Sequence, residues 1–274
     1  MAFTCLFLVI HKHKSRISLA ILLFSCSQGE SPRIEKIEHF YLSSTNSESL
    51  FRTLTDDFDL PIVWEYQDWG AFTSGGVTLG NVVLELLDSK TTKHNRPFGI
   101  ALEPSHSLKR TLPVLAKTDI SHGRVEESNH WSLLSVKEIL PDSIHLFLCD
   151  YHHRKTVSQN RKQASEKLHG SEGGVLGIQS LEAIVINTHD PEGYGNKLAE
   201  LPGIIQEEGQ FHFSKGPSLK LVQADTLLFS LLIKVGSIKN AKQALESRGF
   251  KSQISDHQLV ILDASFPVKM IFFE

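Results

Sequence analysis

Cysteine is scarce in this 274-residue chain. Cys5, Cys26 and Cys149 stand far apart, with neither the spacing of a zinc knuckle nor the density of a disulfide framework. Charge of one sign is also lacking. The 28 Lys and Arg against 31 Asp and Glu leave a formal −3, and no basic stripe interleaved with aromatics marks a nucleic-acid surface. Neither apolar run near the N-terminus approaches the roughly 20 residues needed to cross a bilayer as a helix. Residues 170–177 (GSEGGVLG) lack the preceding strand and following helix of a phosphate-binding loop. Serine, histidine and aspartate are present, but no nucleophile elbow organises them. What remains is ordinary globular composition, 41% hydrophobic and 22% charged, at a length suited to two domains.

The first 32 residues differ from the rest. Residues 1–10 are apolar, 11–16 (HKHKSR) basic, and 17–24 apolar again, ending at Ser25-Cys26-Ser27. A basic segment, a short apolar segment and a small residue describe a secretory leader. Leu23-Phe24-Ser25-Cys26 resembles a bacterial lipoprotein processing site. That resemblance implies lipidation of Cys26, attachment to a membrane and a cell-envelope location. The alternative is a spurious upstream extension of a cytoplasmic protein. Residues 27–32 read as a tether.

Beyond the tether one supersecondary rhythm repeats. Residues 34–43 alternate as a strand, with Ile37, His39 and Tyr41 on one face and Glu38, Phe40 and Leu42 on the other. A helix over 48–58 follows, then extended pieces over 62–66, 70–74 and 77–87. Gly75-Gly76 reads as the turn between the last two, since glycine takes positive φ freely. The order returns with a strand at 98–103, a helix beginning near Ser105 or Ser107, and strands at 124–127, 131–139 and 144–150. A polar stretch, 153–175, reads as an exposed linker, partly helical around 160–168. Two further passes follow: strand 177–187, helix 191–201 and strands 210–214 and 218–224; then strand 227–235, helix 238–248 and strands 258–262 and 268–273. Four passes of one unit constitute an internal repeat. The expected fold is α+β, four βαβββ modules in two domains, 33–152 and 176–274. Within it, Glu85 is the one carboxylate of an otherwise apolar strand. Such a group is costly to bury unless paired, hydrogen-bonded or bound to a cation.

The modular order resembles the vicinal oxygen chelate superfamily, which includes glyoxalases, extradiol dioxygenases and bleomycin-resistance proteins. The resemblance rests on Ile37-Glu38-His39-Phe40-Tyr41-Leu42, on Trp69-Gly70-Ala71-Phe72-Thr73, on the run from Gly80 to Leu86, and on Phe147-Leu148-Cys149-Asp150-Tyr151. It implies paired modules forming half-open barrels around a small-molecule or metal site. It also implies metal ligands on the first and last strands of each module. Carried over, these are His39, Glu85 and Asp150. The fourth position falls near Phe98 or Gly99, where neither residue binds metal. One imidazole nitrogen and two carboxylates suit Fe(II), Mn(II), Zn(II) or Mg(II), with open positions for substrate. The second domain carries no comparable set, which reads as a degenerate copy.

Each of these residues also has a structural reading. His39 can donate to a backbone carbonyl, Glu85 can pair with Arg52, Arg96 or Arg110, and Asp150 can cap the linker. Tyr151 and the three tryptophans read as core, with one or two available to line a pocket. Three functions stay open. One is a metal-dependent lyase, isomerase or dioxygenase acting on a small oxygen-bearing substrate, with Glu85 as an alternative carbon base. The second is a metal-free protein that sequesters a small planar or apolar ligand. The third is assembly, such as a homodimer, through exposed barrel edges.

Overall fold

The computed structural model describes residues 7–9, 20–22, 30–88, 96–261 and 266–274. The chain divides into two compact units, Met1–Ser31 and Pro32–Glu274. In the first, β1 (Phe7–Val9) pairs antiparallel with β2 (Ala20–Leu22). Cys26, with the processing site read around it, lies outside the described residues, as do residues 89–95. Among the described residues no helix is long and apolar enough to cross a membrane.

The second unit contains the four βαβββ modules. The first is β3 (Ile34–Ser44), α1 (Ser47–Arg52) continued by a π-turn over Thr53–Asp57, β4 (Ile62–Asp68), β5 (Thr73–Thr78) and β6 (Val83–Asp88). The second is β7 (Phe98–Pro104), α2 (Leu108–Leu115), β8 (His122–Glu127), β9 (Trp131–Val136) and β10 (Ile144–Tyr151). They join into one eight-stranded sheet, order β4-β5-β6-β3-β7-β10-β9-β8. The seam is the antiparallel β3–β7 pair, and each first strand also pairs in parallel with its module's last strand.

After α3 (Arg154–Gly170), the third module runs β11 (Ile178–Thr188), α4 (Pro191–Ala199), β12 (Ile205–Glu207), β13 (Gln210–His212) and β14 (Ser218–Gln223). The fourth runs β15 (Leu228–Val235), α5 (Ile238–Ser247), β16 (Ser252–Ser255), β17 (Gln258–Ile261) and β18 (Lys269–Phe273). Their sheet, β12-β13-β14-β11-β15-β18-β17-β16, repeats the order of the first. The α+β class and the modular repeat are those expected from the sequence. The short edge strands β12 and β16 are additional.

Side-chain parity divides the first sheet into two apolar regions. Phe40, Leu42, Leu84, Leu86, Ile100, Leu102, Leu146 and Leu148 belong to a large core with α1, α2 and the second sheet. Tyr41, Leu87, Ala101, Phe147 and Cys149 form a separate small cluster on the other face. The large core is continuous between the sheets, with the Phe98 and Phe229 rings stacked 4.2 Å apart. Asn81 reinforces this contact by bonding both the carbonyl and the amide of Leu181, at 2.9 and 3.0 Å. Each such bond contributes about 0.5–1.5 kcal/mol net.

Gly75 and Gly76 do not form the expected turn. They lie inside β5, where added Cβ atoms would meet the Phe51 ring at 2.7 Å and the Trp64 ring at 2.6 Å. Close ring approach is the reason for glycine here. The turn falls instead at Gly80, whose φ is +93°. The stretch read as an exposed linker is α3, a 17-residue helix. Most of its polar residues face water, while Val157, Arg161, Ala164 and Leu168 follow one another at helical spacing on its inner side.

Candidate functional site

The concave face of the first sheet encloses a cavity of about 500 Å³. β3 sets its floor. The pairing register with β7 slips between Ile37 and His39, a bulge that breaks strict alternation and turns Glu38 to the same side as His39. The sequence pattern put those two residues on opposite faces. Glu38 Oε2 contacts His39 Nδ1 and accepts from the Tyr151 hydroxyl at 3.0 Å, while Oε1 pairs with the Arg161 guanidinium. On the other edge of the imidazole, His39 Nε2 lies 3.3 Å from Glu85 Oε2. The Glu38 side chain is 0% exposed, and those of His39 and Glu85 are 7% and 8% exposed. His39 is further fixed by the edges of Trp64 and Phe147, at ring distances of 6.2 and 5.7 Å.

The walls are aromatic. Trp64, Trp69 and Trp131, all three tryptophans of the chain, line this one cavity together with Tyr41, Phe72, Phe147 and Tyr151. The Tyr41 ring lies across Gly99, where a Cβ would stand 2.0 Å from it. That contact explains why the position expected for a fourth ligand carries no side chain. Burial raises the Tyr41 hydroxyl above its ordinary range, with the Glu85 charge adding to the rise. Burial likewise pushes the Cys149 thiol to about 12, so it stands in the wall as a small apolar group rather than a nucleophile. Arg161 reaches in from α3 and lies 4.8 Å over the Tyr151 ring.

Of the three residues carried over from the resemblance, the structure brings two together. His39 and Glu85 meet at the floor. Asp150 lies on the opposite face of β10, where its carboxylate accepts from the Leu108 amide at 2.9 Å and the Arg154 side chain at 2.7 and 2.8 Å. It caps α2 and anchors the start of α3. β10's alternation signals this, since Ile144, Leu146 and Leu148 share the parity of Asp150 and are core residues. The cavity-facing parity is His145, Phe147, Cys149 and Tyr151. Among the described residues no group of three or more His, Cys, Asp or Glu side chains is arranged to hold a metal ion. The carried-over residues that meet at the floor are therefore one imidazole and one carboxylate, and they do not fit the three-ligand centre that the resemblance implies.

No family model matches the sequence, and no curated protein matches it. By structure the chain is similar to a hypothetical protein from Staphylococcus aureus (TM-score 0.57, 11% identity, 87% of this chain and 98% of that one). It is also similar to an E323L mutant of homoprotocatechuate 2,3-dioxygenase from Brevibacterium fuscum (TM-score 0.52, 13% identity, 89% and 72%). A third match is an extradiol ring-cleaving dioxygenase from B. fuscum (TM-score 0.53, 12% identity, 89% and 72%). At these identities the likeness shows the fold alone, and that fold is of the vicinal-oxygen-chelate type.

Proposed function

We propose that the first half-barrel binds a small, flat, largely apolar molecule and holds it against the His39–Glu85 pair. The observation that carries this reading is the convergence of all three tryptophans on one cavity whose floor holds the His39–Glu85 contact. Aromatic walls bury and orient a planar ring, and the few polar groups set its register. For the 3.3 Å contact to be a hydrogen bond, one proton must lie between Nε2 and Oε2. The pair can therefore exchange a proton with a bound ligand at either atom. Stable ligand binding needs no third protein group at the floor, so the reading is closer to sequestration than to metal-centred chemistry.

A second reading keeps a metal-dependent activity of the dioxygenase or lyase kind. It is favoured by the carboxylate behind His39, since an imidazole backed in this way presents its other nitrogen as a ligand, and by the fold shared with dioxygenases. Glu85 would then be the second ligand, with the remaining positions filled by water or substrate.

A thermal-shift screen of planar aromatic compounds on protein purified without an affinity tag, in EDTA and in Mn(II), Fe(II) or Zn(II), tests both. The first reading expects stabilisation by flat ligands in EDTA. Stoichiometric metal that is lost in His39→Ala and Glu85→Ala, with ligand shifts seen only when metal is restored, overturns it in favour of the second.

A further inference from the structure

Helix α3 enters the cavity through Arg161, and Arg161 touches neither Glu85 nor the imidazole in any described contact. It grips the residue behind the imidazole. Glu38 is wholly withdrawn from water, and a carboxylate so placed stays ionised only if its charge is paired and its oxygens receive donors. The Arg161 guanidinium supplies the charge on Oε1, and the Tyr151 hydroxyl donates to Oε2. Both are held in the forms this requires. Burial raises the Tyr151 hydroxyl well above its ordinary range, so it remains a donor. Burial draws Arg161 down to about 9, still cationic at neutral pH. With two sides of the carboxylate taken by donors, the remaining approach accepts a donor as well. That approach is filled by His39 Nδ1.

An imidazole can carry its proton on either nitrogen, and its partners decide which. The proton of the Nε2–Oε2 contact with Glu85 can sit on either atom, so that edge accommodates a ring protonated at Nδ1. Nδ1 faces a carboxylate locked as an acceptor. The β3 bulge makes this possible, because only a register slip brings adjacent residues of one strand to the same face. An ion pair serving stability alone would need no contact with the imidazole.

We propose that Glu38 is a positioning residue that fixes His39 with Nδ1 protonated and Nε2 offered to the cavity, and that Arg161 of helix α3 holds Glu38 in that role. α3 is thus a working part of the site as well as the connection between the sheets. The inference rests on the reading of this cavity as the ligand site, and its test is independent of any ligand.

The test is long-range proton–nitrogen correlation NMR on the full ¹⁵N-labelled chain at one neutral pH, with the His39 ring assigned by its loss in His39→Gln. In the wild type Nδ1 carries a proton. Glu38→Gln keeps the volume but keeps its oxygen toward Arg161 and turns an amide donor toward Nδ1, so the protonated-Nδ1 population falls at least tenfold. Arg161→Lys restores a cation and retains the wild-type tautomer, whereas Arg161→Gln gives a mixture. Arg161→Gln leaves the carboxylate in place and decides the matter if Glu38→Gln fails to fold. A bare Nδ1 in the wild type, or an unchanged tautomer in Glu38→Gln or Arg161→Gln with native circular dichroism, overturns the proposal. A correct tautomer in a protein that binds no planar ligand instead upholds the positioning role and rejects the ligand-site reading.

Discussion

Removing Arg161 gives the sharpest energetic test of how the floor is built. Arg161→Ala leaves Glu38 fully enclosed with two of its three partners, Tyr151 and His39. Breaking a buried ion pair by deleting one member costs about 3–5 kcal/mol. The two surviving donors place this case at the lower end, about 3 kcal/mol, to which the lost stacking of the guanidinium on Tyr151 adds up to about 1 kcal/mol. For a unit of this size, 1 kcal/mol moves the midpoint by roughly 2–4 °C, so the melt should fall by roughly 6–16 °C. Urea denaturation at pH 7 measures the same loss as a reduced midpoint with unchanged slope. The double variant Arg161→Met with Glu38→Gln removes both charges and should recover most of the loss, because neither charge is left buried alone. A loss below about 1 kcal/mol in Arg161→Ala, or a double variant as unstable as the sum of the singles, refutes the buried pair.

Four further outcomes follow from particular contacts. Gly99→Ala sets a methyl 2.0 Å from the Tyr41 ring and should destabilise by about 1–3 kcal/mol in urea, with a shift in near-ultraviolet circular dichroism; a neutral effect contradicts the close approach. Cys149, buried and with its thiol at about 12, should resist iodoacetamide at pH 8 in native protein and react after denaturation, read by mass spectrometry of its peptide. Asp150→Ala should lower stability by about 1–2 kcal/mol through the lost α2 cap while leaving ligand binding intact; loss of binding with normal stability would return Asp150 to the site. Glu35 is held below the ordinary carboxylate range chiefly by its hydrogen bond to Lys215, and Lys215 is raised by the same contact. The Glu35 contribution is present above the ordinary Glu value and lost as pH falls through the lowered one. The Lys215 contribution is present below the ordinary Lys value and lost as pH rises through the raised one. Because Lys215 is largely exposed, Lys215→Met should remove at most about 1 kcal/mol at pH 7 and nothing below the lowered Glu35 value.

The modular order was legible because each first strand, each helix and each last strand carries its own periodicity, from Phe40 and Leu42 in β3 to Ile184 and Ile186 in β11. The edge strands β12 and β16 were not, since they are short and exposed and have no apolar alternation to reveal them. His39 and Glu85 were legible as polar groups on apolar strands. Glu38 was hidden because a bulge has no sequence signature strong enough to override alternation. Arg161 was hidden because one basic residue in a polar helix resembles its neighbours, and only the tertiary placement of α3 aims it inward. Asp150 is different: the parity of Ile144, Leu146 and Leu148 already points it toward the helices, and that pattern outranks the motif resemblance. Gly75 and Gly76 show the same lesson for glycine, where the space taken by Phe51 and Trp64 rather than a turn demands the missing side chain.

Isothermal titration of the untagged chain in EDTA, with a planar aromatic compound found in the screen, tests the central claim most directly. The account predicts one site per chain, quenching of tryptophan fluorescence, and at least tenfold weaker binding when Ala71→Phe narrows the cavity lined by Trp64, Trp69 and Trp131. Binding that leaves tryptophan emission unchanged, or that Ala71→Phe does not weaken, contradicts it.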